Sequence, residues 1–78
     1  MKKRKTLFID HNWMYSLTEG TDGGLYIEVA VGGIAIENYV IPLSAEERQQ
    51  YSDEGNSFLH RFALNIAKDP MSFTSRRI

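Results

Sequence analysis

The sequence predicts a small α+β fold, a three-stranded antiparallel β-meander followed by one or two C-terminal helices packed on the aliphatic sheet face. Three observations carry this. Residues 12–18, 25–31 and 34–42 read as β runs, and the first two alternate apolar with polar side chains, the period of a half-buried strand. Gly32-Gly33 joins the second run to the third, the signature of a tight hairpin. Beyond Ser44 the period changes, and Phe58, Leu59, Phe62, Ala63 and Ile66 recur at the helical spacing of three and four.

The first strand is read over Asn12–Thr18, with Trp13, Tyr15 and Leu17 on the core side, and Leu7–Ile9 starts or extends it. Glu19-Gly20-Thr21-Asp22-Gly23-Gly24 is a turn by composition, its glycines free to take positive φ. It precedes a strand rather than a helix, so it lacks the amide cluster that makes glycine-rich loops hold phosphate.

A two-residue Gly32-Gly33 loop sets Val31 opposite Ile34, Val29 opposite Ile36, Ile27 opposite Asn38 and Leu25 opposite Val40. The other face then pairs Tyr26 with Tyr39, Glu28 with Glu37 and Ala30 with Ala35. Pro42 cannot donate to a ladder, so the third strand ends there or lies at an edge.

Ser44-Ala45-Glu46-Glu47 is a capping box that opens a helix at Ala45. Gly55-Asn56 reads as a stop and Ser57 as a second cap. Two helices over 45–53 and 57–68 are therefore preferred to one long helix bent at Gly55, and Asp69-Pro70 ends the second.

Seventy-eight residues fit one domain, 1–78, with 1–6 and 74–78 as flexible basic tails, of which residues 1–5 and 75–78 are expected to be dispensable for folding. No cysteine is present to staple a secreted domain, so a reducing, bacterial-type cytoplasm is expected. The basic start resembles a signal peptide's charged region. Leu7-Phe8-Ile9 is too short for a signal core or a membrane span, and no membrane association is expected.

The net charge of −1 is unevenly spread. Residues 6–75 hold all ten carboxylates against Arg48, Arg61 and Lys68, a net −7, while the ends carry +4 and +2. An acidic body favours basic partners, and basic ends favour anionic ones.

Chemistry is harder to find. His11, between Asp10 and Asn12, and His60, on a helix flank, lack the spacing of a metal or catalytic pair. No nucleophile elbow, phosphate loop or dinucleotide fingerprint occurs. No catalytic residue, metal or cofactor is expected. The candidate partner-binding residues are Tyr26, Glu28, Glu37 and Tyr39, which a two-residue hairpin groups on the sheet face away from the helices. They point to a non-enzymatic binding protein, such as an immunity- or antitoxin-type inhibitor of a basic toxin or nuclease. A homodimer or accessory subunit built on this face is a second reading. Nucleic-acid binding or regulation through the basic ends is a third.

Overall fold

The structure is a computed structural model, and it describes residues 5–32 and 36–78. Four strands, β1 (Lys5–Asp10), β2 (Tyr15–Glu19), β3 (Leu25–Val31) and β4 (Glu37–Pro42), form one antiparallel sheet in the order β1-β2-β3-β4. Two helices follow, α1 (Ala45–Glu54) and α2 (Asn56–Lys68), then a 3-10 segment over Pro70–Arg76. The expected class holds, an antiparallel sheet followed by C-terminal helices. The strand count does not: there are four, not three.

The extra strand arises because residues 10–14 turn instead of extending. Asp10 Oδ1 accepts the amides of Asn12 at 2.9 Å and Trp13 at 3.0 Å, so its side chain supplies the turn that the alternation conceals. Met14 closes it at φ 56°, a left-handed conformation uncommon for a side chain of this kind. Trp13, expected in the core, instead sits half-exposed on the turn, its ring edge-on to His60 of α2 with centroids 4.8 Å apart.

One face of the sheet is buried. Tyr15, Leu17, Ile27, Val29, Tyr39 and Ile41 pack against the stripe Phe58, Leu59, Phe62, Ala63 and Ile66 of α2. The expected break at Gly55 is present, with φ 69°. The capping box forms as well: Glu47 N–H donates to Ser44 Oγ at 3.2 Å, and Ser44 N–H to Glu47 Oε1 at 2.8 Å. α1 buries no residue fully and is held by this cap and by its neighbours.

The parts of the expected tails that the structure describes are ordered against the sheet. Lys5 and Thr6 open β1, and residues 1–4 lie outside the described residues. Of residues 74–78, the last three, 76–78, are docked on the outer edge of β4. Arg77 donates to the Asn38 carbonyl at 3.1 Å, the Ile78 amide to Val40 O at 2.9 Å and Arg76 to Pro42 O at 3.2 Å. Alternate carbonyls point out of an edge strand, and these three are met in turn. Pro42 has no N–H to expose there.

Candidate binding surface

The face away from the helices is built in rows, because residues paired across a ladder share a side. One row runs Thr6, Thr18, Tyr26, Pro42, and the next Ile9, Ser16, Glu28, Val40. Ala30 and Asn38 begin a third. No helix covers these rows. The loops and side chains around them leave two adjoining hollows. The larger, about 550 Å³, is lined by Thr6, Thr18, Asp22, Tyr26 and Glu28. The smaller, about 220 Å³, is lined by Ile9, Met14, Ser16, Glu28, Ala30 and Asn38. Glu28 borders both.

The β2–β3 turn fixes the large hollow. Asp22 Oδ1 accepts the Gly24 amide at 3.0 Å, and the Tyr26 hydroxyl donates to Asp22 Oδ2 at 3.1 Å. Tyr26 is thereby folded over Gly20, where a Cβ would lie 2.8 Å from both the ring and Asp22 Oδ1. Only glycine lets ring and turn approach this closely. Thr18 is 3% exposed beneath them, its hydroxyl 3.5 Å from the Tyr26 carbonyl.

Of the four residues expected to share this face, the structure keeps two there. Tyr26 and Glu28 lie on it, opposite Pro42 and Val40. Tyr39 pairs with Val29 and Glu37 with Val31, on the helix side. The expected pairs Tyr26/Tyr39 and Glu28/Glu37 are therefore corrected. The connection between Val31 and Glu37 spans residues 32–36, three longer than a two-residue turn, and an odd shift turns every β4 side chain to the other face. Gly32 does take positive φ, at 119°, while residues 33–35 lie outside the described residues.

The gain from the longer loop is visible in the core. Ile41 becomes fully buried beside Ile27, and Tyr39 is reduced to 9% exposure, whereas Ile36 is left 66% exposed in the loop. The Arg77 guanidinium lies 4.0 Å from the Tyr39 ring centroid and ion-pairs with Glu37, so both residues serve to hold the C-terminal segment.

The polar members of the surface, Ser16, Thr18 and Asp22, are missed by a reading that treats residues 12–18 as a first strand and 19–24 as a bare turn. The Asp10 and Asp22 turn chemistry was the signal that would have found them. Elsewhere, burial pushes the Tyr15 hydroxyl up from its ordinary value, and the nearby Asp10 adds to the shift. Among the described residues, no three His, Cys, Asp or Glu side chains converge as metal ligands, and no helix is long and apolar enough to cross a membrane. His60 meets Trp13 and Tyr15, and His11 lies at the rim of the small hollow. Compared with protein-family models, curated proteins and solved structures, the chain matches none, and its functional reading rests on this surface.

Proposed function

We propose that the protein is a non-enzymatic binding module that presents its open sheet face to a basic protein partner, in the manner of an immunity- or antitoxin-type inhibitor. The observation that carries the reading is the position of Glu28, where the two hollows meet in the middle of a sheet face that no helix covers. Asp22 and Tyr26 flank it on the side of the larger hollow. A net −7 over residues 6–75 draws a cationic partner toward the body and speeds its encounter.

Anion binding through the C-terminal basic residues is less well supported. Arg76 is held by Glu47 and Arg77 by Glu37, so both cations have acidic neighbours within the fold.

An arginine-rich peptide titrated into isotope-labelled protein tests the reading. Amide shifts are expected at Ser16, Thr18, Tyr26 and Glu28, weakened by salt and by Glu28→Gln. Shifts confined to the helices, or binding indifferent to Glu28→Gln, would refute it.

A further inference from the structure

The two edges of the sheet are finished differently. At β4, the C-terminal segment meets the outward carbonyls of Asn38, Val40 and Pro42. At β1, no described residue is hydrogen-bonded across the outer edge, and Leu7 and Ile9 are 43% and 49% exposed. An edge of this kind is a template for another strand.

Its backbone direction follows from the ladder. The Ala30 amide donates to Met14 O, so hydrogen-bonded pairs of β2 with β3 fall on the even residues of β2. Tyr15 and Leu17 therefore turn their backbone toward β1, toward Asp10 and Phe8. Ile9 must turn its N–H and C=O outward. Leu7 is the extra residue between the Thr6↔Thr18 and Phe8↔Leu17 pairs, so it adds no step to the ladder.

That bulge makes β1 self-complementary. Antiparallel pairing of two β1 strands about Phe8 sets Phe8 opposite Phe8, and Ile9 opposite the Thr6-Leu7 step. Because the bulge removes one step, Lys5 then falls opposite Asp10. Both lie on the helix side of the sheet, with the partners Glu19 and Tyr15 on β2. We propose that β1 pairs in this register with β1 of a second copy of the chain, about a two-fold axis through Phe8. Two Lys5–Asp10 pairs and two apolar Leu7–Ile9 contacts close the interface. The axis is perpendicular to the sheet, so both copies keep their helices on one side and their open faces on the other. With the β4 edge covered, association stops at the dimer instead of continuing into a fibre. So short a contact makes a weak, concentration-dependent dimer.

Sedimentation of the full chain over a range of concentrations tests this, with mass as the readout. Wild type is expected to move from monomer to dimer, and the Ile9 amide to exchange more slowly as it does. Lys5→Glu alone and Asp10→Lys alone each set like charges opposite one another and are expected to weaken self-association about ten-fold. Mixing the two variants restores both pairs, so a heterodimer forms. Asp10 also shapes the turn, so Ile9→Arg provides a second, surface-only variant expected to abolish the dimer without altering the circular dichroism spectrum. A wild type that stays monomeric across the concentration range would overturn the proposal. Dimers that tolerate Lys5→Glu and Ile9→Arg would overturn it as well.

Discussion

Arg76 ties three parts of the chain together at one guanidinium. Its Nη1 donates to Glu47 Oε2 at 3.0 Å, and its Nη2 to Glu47 Oε1 at 2.6 Å and to the Pro42 carbonyl. Glu47 also accepts the Ser44 amide, so the α1 cap and the C-terminal segment share one carboxylate. Burial alone would push the Glu47 carboxyl up. The hydrogen bonds from Arg76 and Ser44, with the Arg76 charge, outweigh it and hold the group below its ordinary value. A carboxyl lowered in the folded state stabilises the fold at neutral pH and loses that contribution as acid protonates it. The urea midpoint is expected to fall as pH drops through the carboxylate range, with Glu47→Gln flattening that fall. At neutral pH, Arg76→Met should cost about 1 kcal/mol, a figure discounted for the partial exposure of the guanidinium. An unchanged midpoint in Arg76→Met would show that the bidentate pair contributes nothing.

At the scale of elements, the hairpin between β3 and β4 decides which side chains face the core. Tyr39→Ala removes a buried ring and is expected to cost about 3 kcal/mol. Tyr26→Ala, on the open face, should cost about 1 kcal/mol or less. Urea unfolding of the two variants reads the register directly, and equal losses would contradict it. The helices pose a similar question at Gly55, whose φ of 69° and ψ of −143° suit glycine alone. Gly55→Ala should destabilise by about 1–2 kcal/mol although no atom crowds the new methyl. A gain in stability would mean that α1 and α2 fuse.

Much of this was legible from the chain. Ser44 and Glu47 announce α1 because a cap is a local contact, and the stripe from Phe58 to Ile66 announces α2 because its period repeats. The hairpin itself was legible too, but not its length. Gly32-Gly33 satisfies a two-residue turn locally, and the longer loop is favoured by distant packing of Tyr39 and Ile41. The candidate surface suffered accordingly: Tyr26 and Glu28 were placed by the alternation of β3, whereas Tyr39 and Glu37 depended on loop length. Trp13 was misplaced because alternation continues unbroken through a turn that Asp10 creates with its side chain.

For the whole molecule, the C-terminal segment acts as a cover over the β4 edge of the four-stranded sheet. Phe73 packs against the core, with its ring centroid 5.9 Å from that of Phe62, and Arg76 and Arg77 extend the contact along β4. Deleting residues 76–78 removes the Glu47 and Glu37 ion pairs together and bares the β4 edge. The melting temperature is expected to fall by about 5–10 °C, as a loss of one to two kcal/mol does in a domain of this size. Thermal unfolding followed by circular dichroism checks this, and a shift within experimental error would return these residues to the status of a tail.

The position of Trp13 has a spectroscopic consequence. It is the sole tryptophan in the chain, about half in water, with its indole set edge-on against His60. Its emission colour is therefore already close to that of a solvated indole and changes little on unfolding. Its brightness is another matter, because it responds to the imidazole held against the indole. Pulling α2 away from the β1–β2 turn breaks that contact, so the brightness should change as the helix undocks. The chain thus carries its own gauge of helix docking, readable without a label and silenced by His60→Phe.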